Sequence, residues 1–265
     1  MQAHDPFFIE AGAGPGVVCI HSNASTSSQW RPLLSVLSDR FHVLAADSLG
    51  AGKGPAWPAD RPVALADEVA LLEPVLARAG DPFVLVGHSY GAAVALVAAL
   101  QQPSRIRALA LYEPTLFGLL DAAAPGGDAA TGIREAVGEA AAAVAQGDLS
   151  AAARRFIDYW MGAGSYAAMP PARQAAIAAS VANVTGWGHA LFHAQVSPTA
   201  LAALDLPVLL MTGGRSPVSG QAVAKLLSEL MPRVQLIEFT ALGHMGPVTD
   251  PATVNACIAA FLDGL

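Results

Sequence analysis

The stretch Phe83-Val84-Leu85-Val86-Gly87-His88-Ser89-Tyr90-Gly91-Ala92-Ala93-Val94 decides how the chain is read. An apolar, β-branched run climbs into Gly-x-Ser-x-Gly, and an alanine-rich segment of helical character follows at once. This predicts a strand, a sharp turn and a helix with Ser89 at the turn, the pattern of a nucleophile elbow. The chain passes close to itself at such a turn, and Gly87 and Gly91 are neighbours without side chains. The pentapeptide alone has low specificity; the strand before it and the helix after it give it weight.

Downstream of the turn, residues 106–112 read as the next strand, stopping at Glu113-Pro114. Upstream, strands at 6–10, 16–20 and 42–46 alternate with helices near 28–37 and 63–79. Two of those strands run into loops of interest, His21-Ser22-Asn23 and the glycine-rich segment 47–54. Regular alternation predicts an α/β fold with a mostly parallel sheet flanked by helices. The rhythm changes between 115 and 200, where segments near 131–145, 150–160, 171–183 and 186–196 look helical and no strand intervenes. Such an insertion predicts a helical lid, placed after the sixth strand. A strand at 207–211, a helix at 221–231, a strand at 234–239 and a last helix capped by Asp250-Pro251 restore the alternation. The expected division is therefore a core of residues 1–114 and 201–265, with the lid at 115–200.

Composition narrows the function. The chain has 265 residues, a formal net charge of −7 and only 13% charged residues against 54% hydrophobic. Without a concentrated basic face, nucleic-acid binding is not expected. No run of about 18 apolar residues suggests a membrane span. The amino terminus lacks a basic region followed by an apolar run, and the two cysteines, Cys19 and Cys257, read as unpaired thiols. A cytoplasmic location is the expectation; oligomeric state is not legible.

In an open parallel sheet, ligands bind at the carboxyl ends of the strands. That rule selects four groups as partners for Ser89: His244, Glu113, Asn23 and Ser216. His244 sits in a glycine-flanked loop directly after the last strand, where an imidazole could take the hydroxyl proton and return it to a leaving group. Glu113 closes the strand after the elbow and could orient that imidazole, or pair instead with an arginine such as Arg215. Asp47 is the next carboxylate, in a loop already explained by turn chemistry. Asp205 precedes its strand and falls at the opposite edge of the sheet. His189 and His193, one helical turn apart, are expected to pack against a pocket; no third ligand at suitable spacing suggests a metal site.

The motifs His21-Ser22-Asn23, 47–54, Gly87 to Gly91 and Gly243-His244, in that order, resemble the α/β-hydrolase superfamily over nearly the whole chain. The resemblance implies a nucleophile at Ser89, a base at His244 and an oxyanion hole formed by the backbone N–H groups of Asn23 and Tyr90. Two departures stand out. Ser22 replaces the usual glycine, and Gly214-Arg215-Ser216-Pro217 carries no acid where relatives usually keep one. Some relatives place it after the elbow's neighbouring strand, which is Glu113 here.

The expectation is a cofactor-free serine hydrolase, without metal, acting on small to medium apolar carboxylic esters through an acyl-enzyme. Trp187, His189, Phe192, Met245 and Arg215 are the expected pocket residues. Two alternatives stay open: hydrolysis of a carbon–carbon bond or lactone by the same residues, for which Arg215 could hold an anionic substrate, and a ligand-binding receptor that retains the fold with little turnover.

Overall fold

The computed structural model describes residues 6–265. The segment 1–5, on which the expectation of no export signal rests, lies outside the described residues. The first half of the chain forms β1 (Phe8–Ala11), β2 (Gly16–Ile20), α1 (Arg31–Leu37), β3 (His42–Ala46), α2 (Leu65–Ala79), β4 (Phe83–His88), α3 (Tyr90–Gln101) and β5 (Ile106–Tyr112). After a helical stretch come β6 (Val208–Gly213), a helix at Val218–Leu230 and β7 (Val234–Phe239). The strands join one sheet in the order β1-β3-β2-β4-β5-β6-β7. Among the described strands only β1 runs antiparallel, against β3.

The central strands β2, β4 and β6 are buried at every residue. Their near-continuous apolar sequences are what a parallel strand covered on both faces requires. Because successive side chains alternate across a strand, the two faces feed separate cores. Val18 and Ile20 point to one face with Leu72 of α2 and Leu96 of α3; Val17 and Cys19 point to the other with Leu33 of α1 and Ile258 of the last helix, Pro251–Asp263. Both cysteines are free thiols.

Strand register fixes the location of the site. Ile20 is level with Gly87, His88 with Tyr112, and Tyr112 with Met211. The loops that follow β2, β4, β5 and β6 therefore leave the sheet at the same end, carrying Asn23, Ser89, Glu113 and Ser216.

Between β5 and β6 lie α4 (Phe117–Ala123), α5 (Thr131–Ala145), α6 (Leu149–Met161), α7 (Pro171–Val181), α8 (Val184–Phe192) and α9 (Pro198–Ala202). The insertion leaves the sheet after its fifth strand, not after a sixth. The described chain supplies one antiparallel strand, β1, before β2, so a count of six has no strand to rest on. The helix after β6 is α10, and β7 is followed by the short α11 (Gly246–Thr249) and by α12, the last helix. An aromatic cluster of Phe117, Phe156, Trp160 and Trp187 packs the insertion against the carboxyl edge of the sheet.

Candidate active site

Ser89 sits between β4 and α3 with φ 56° and ψ −115°. A left-handed backbone is rare outside glycine, and here the surrounding chain enforces it. A Cβ on Gly87 would lie 2.5 Å from the Cα of Ala92, and one on Gly91 would fall on the carbonyl oxygen of Ile20. Both elbow glycines are thus required by close approach. The non-glycine residues with positive φ among those described are Ala24, Ser89 and Glu113, and all three flank the same cavity or feed it.

Ser89 Oγ donates to His244 Nε2 at 2.9 Å, and His244 Nδ1–H donates to Glu113 Oε2 at 2.6 Å. The carboxylate can only accept, which fixes the neutral tautomer of His244 with its proton on Nδ1. Ser89, His244 and Glu113 are all buried. The other carboxylate oxygen, Oε1, accepts from Gly213 N–H at 2.7 Å, Thr212 Oγ1 at 2.9 Å and Ser216 Oγ at 2.5 Å. Burial pushes the Glu113 carboxyl up, but the adjacent His244 and the bonds from Gly213 and Ser216 outweigh it, and its pKa lies below the ordinary value. Glu113 is therefore held as a carboxylate.

The loop carrying His244 is tethered twice. Tyr112 Oη donates to the carbonyl of Gly243 at 2.8 Å, and His88 Nε2–H donates to the carbonyl of His244 at 2.8 Å. His88 Nδ1 in turn accepts from Gln29 Nε2 at 3.1 Å, and Gln29 Oε1 accepts from both N–H and Oγ of Ser22 at 3.3 and 3.1 Å. One polar chain, half-buried at Gln29, thus links the loop of Asn23 to the backbone of His244. Burial, with His244 and His21 nearby, holds His88 well below its ordinary pKa, so it stays neutral and donates from one nitrogen only.

His21 and Asp47 serve local structure. His21 Nδ1–H donates to the carbonyl of Ser22 at 2.7 Å, while Nε2 accepts from Ser48 N–H at 3.1 Å. Asp47 accepts from the N–H groups of Ser27 at 2.6 Å and Lys53 at 2.8 Å, bridging two loops and leaving no oxygen aimed at His244. Asp205 pairs with Arg233 away from the site.

A cavity of about 30 Å³ lies against Ser89 and His244, walled by Asn23, Phe156, Trp160, Ile177 and Met245. Of the expected pocket residues, Met245 lines it. Trp187 packs behind Phe156, with ring centroids 5.7 Å apart. Phe192 packs against Phe117 with the rings tilted by 37° and lies under the Arg134 guanidinium. His189 lines a separate hollow with Leu65 and Gln101, stacked on His193. Arg215 lines an outer cleft behind His244. These four fail as lining residues of the Ser89 cavity because the faces of α8 and of the Arg215 loop turn elsewhere. Side-chain chemistry alone does not fix which face of a helix a residue occupies. Among the described residues no group of three potential metal ligands gathers.

Three residues at the site carried no sequence signal. Trp160 of α6 lies face to face with the His244 imidazole, ring centroids 3.8 Å apart. Gln29 organises the chain from Ser22 to His88. Arg173 of α7 reaches the cavity mouth.

A family profile described as alpha/beta hydrolase fold matches residues 15–251, which span every strand but β1 together with the serine, carboxylate and histidine just described. The chain belongs to the α/β-hydrolase family. Among curated relatives of this α/β hydrolase, a 2-(acetamidomethylene)succinate hydrolase from Mesorhizobium japonicum is 34% identical over 114 residues, covering 41% of this chain and 38% of the relative. A lipase from Mycobacterium tuberculosis is 36% identical over 106 residues, 39% of each chain. The matched stretches span about two-fifths of each relative. A thermophilic esterase from Thermogutta terrifontis superposes with a TM-score of 0.76 over 98% of this chain and 93% of the other, at 22% identity. That likeness concerns the fold. No helix among the described residues is long and apolar enough to cross a membrane.

Proposed function

We propose that the protein is a serine hydrolase that cleaves carboxylic esters with a small apolar acyl group through an acyl-enzyme. The observation that carries this reading is the continuous relay from Ser89 Oγ through His244 to Glu113. Ser89 Oγ attacks the ester carbonyl as His244 Nε2 takes its proton. Glu113 holds the ring by its Nδ1–H and stabilises the imidazolium that forms. The carbonyl oxygen, now negative, is received by the backbone N–H groups of Asn23 and Tyr90. Tyr90 opens α3, so its N–H has no intrahelical acceptor and lies at the positive end of the helix. His244 then protonates the departing alkoxide, and a water activated by His244 releases the acid.

Acyl size follows from the cavity. A space of about 30 Å³ beside Ser89 takes a group of about two heavy atoms, and its apolar walls favour acetyl or propionyl over a long chain. Relatives named hydrolase and lipase support hydrolysis as the reaction class. A fluorophosphonate probe should add to Ser89 in the intact protein and not in Ser89→Ala, read by mass spectrometry of the labelled peptide. Absence of an adduct on the wild-type chain would remove the serine-hydrolase reading.

A further inference from the structure

The cavity beside Ser89 does not end at its walls. It meets a second, larger cleft of about 630 Å³ at Ala24, Arg173 and Ile177, residues that line both. The two spaces differ in chemistry. The inner one is walled mainly by Phe156, Ile157, Trp160, Met161, Met169 and Ile177, with Ser22 and Asn23 beside the relay residues and Arg173 at its junction with the outer cleft. The outer is edged by the hydroxyls of Ser25, Thr26, Ser28 and Ser180, and no aspartate or glutamate lines it. Arg173 is its one cation, and none of the arginine ion pairs among the described residues includes it. Of the arginines that form no ion pair among the described residues, Arg173 is the one that lines the cavity holding Ser89.

We propose that this outer cleft is the leaving-group subsite and that it selects esters whose alcohol portion carries a carboxylate, bound by Arg173. The inference rests on the ester-hydrolase reading above. The first product must depart while the acyl group is still attached to Ser89, so the leaving group belongs in the open cleft and the acyl group in the small chamber. In the step itself the Ser89 Oγ–acyl bond forms, the ester C–O bond breaks, and the alcohol leaves with the proton from His244 and its carboxylate still paired with Arg173. A guanidinium presents a planar fork that matches a carboxylate with two parallel hydrogen bonds. One arginine balances one negative charge, which suits a carboxylate better than a phosphate dianion. Arg173 is exposed, so water and salt screen the pairing, and the expected preference is about tenfold and falls with ionic strength.

The test uses 4-acetoxybenzoate and its methyl ester, which share an acyl group and differ in charge, together with the products 4-hydroxybenzoate and methyl 4-hydroxybenzoate. For the wild-type protein the ratio of kcat/KM for the acid over the methyl ester should be about tenfold higher than for Arg173→Gln, mainly through KM, and should narrow between 0.05 and 0.5 M salt. Calorimetry on the same proteins should show 4-hydroxybenzoate binding weakened about tenfold by Arg173→Gln relative to its methyl ester, a readout that needs no turnover. A protein that binds 4-hydroxybenzoate through Arg173 but fails to hydrolyse either acetate keeps the subsite and loses the hydrolase reading. One that hydrolyses both acetates with a ratio untouched by Arg173→Gln keeps the hydrolase and overturns the subsite, as does product binding indifferent to the substitution.

Discussion

The indole of Trp160 stacks on the imidazole of His244 with ring centroids 3.8 Å apart and planes inclined by 24°. On the other side of the imidazole the ring of His88 stands 5.3 Å away, tilted by 46°. The histidine at the centre of the relay is thus clasped between a strand residue from the core and a helix residue from the insertion. Trp160 is held from behind by Tyr159 and Phe117, at 5.0 and 6.4 Å. The insertion therefore bears on the reacting histidine itself, besides walling the cavity.

An aromatic face attracts a cation, and a desolvated pairing is worth about 2 kcal/mol. His244 gains positive charge only as Ser89 attacks, so the indole would stabilise the transition state more than the resting enzyme. Trp160→Leu, which keeps an apolar side chain and removes the π face, should lower kcat about tenfold. Trp160→Phe should lose threefold or less. The upfield ring-current shift of the His244 Hε1 resonance should shrink in Trp160→Phe and vanish in Trp160→Leu. Equal kcat for the two variants would reduce Trp160 to a packing residue.

Glu113 accepts four hydrogen bonds, one from His244 and three from the end of β6 and the loop beyond it. Glu113→Gln keeps the shape but presents an amide where a carboxylate fixed the tautomer of His244. If the amide N–H faces Nδ1, the proton moves to Nε2 and Ser89 loses its acceptor. Esterase kcat should fall by about 10² to 10⁴-fold with a smaller change in KM. Thermal unfolding should show the variant folded at the assay temperature. Activity within threefold of wild type would move the orienting role to another group.

Glu68 lies fully buried in α2, where it accepts from Leu49 N–H and Tyr90 Oη at 3.1 Å each. Burial pushes its carboxyl up to about 7, against the pull of those two bonds. Its unfolded counterpart titrates near 4.5. Between those values the folded state holds the proton and the unfolded state has released it, so this group's contribution to stability declines as pH rises from about 4.5 to 7 and is flat above. The full decline is about 3 kcal/mol. Glu68→Gln imitates the protonated form, its amide donating to Tyr90 Oη while its carbonyl accepts from Leu49. The difference in unfolding free energy between Glu68→Gln and wild type, measured in urea, should grow in favour of the variant across that interval. A difference independent of pH would mean that Glu68 is ionised throughout.

The residues legible in the sequence are those with strong local constraints. Ser89 and Glu113 directly follow β4 and β5, His244 lies in the loop after β7, and each has a glycine or a proline within two residues, so strand order alone brings their loops together. Trp160 was illegible for a physical reason. It continues the apolar stripe Ala152, Ala153, Phe156 and Ile157 along α6, and burial in a core gives the same period as burial against an imidazole. Arg173 and Arg215 are both exposed arginines near strand-end loops, and only the path of α7 over the cavity separates them. Trp187, His189 and Phe192 share one short helix, but no more than one side of a helix can face a site. Glu68 falls in the first turn of α2, where a carboxylate is ordinary; its partners Leu49 and Tyr90 are distant in the sequence.

Ser216 occupies the loop after β6 where relatives usually keep the acid, and its hydroxyl now lies 2.5 Å from the carboxylate that stands in for it. Position 216 is thus next to the oxygen that receives Thr212 Oγ1 and Gly213 N–H, so a carboxylate there would inherit donors already in place. Ser216→Asp alone sets two buried carboxylates side by side, which forces one to take a proton, and kcat should fall by tenfold or more. In Ser216→Asp/Glu113→Gln the repulsion is gone and Asp at 216 is the only carboxylate within the cluster. The double variant should be at least tenfold faster than Glu113→Gln, although each substitution alone is harmful, a coupling expected of residues sharing one hydrogen-bond network. A double variant no faster than Glu113→Gln would mean that the imidazole cannot be oriented from position 216, and that the tethers from Tyr112 and His88 have fixed the His244 loop for an acid at the end of β5 alone.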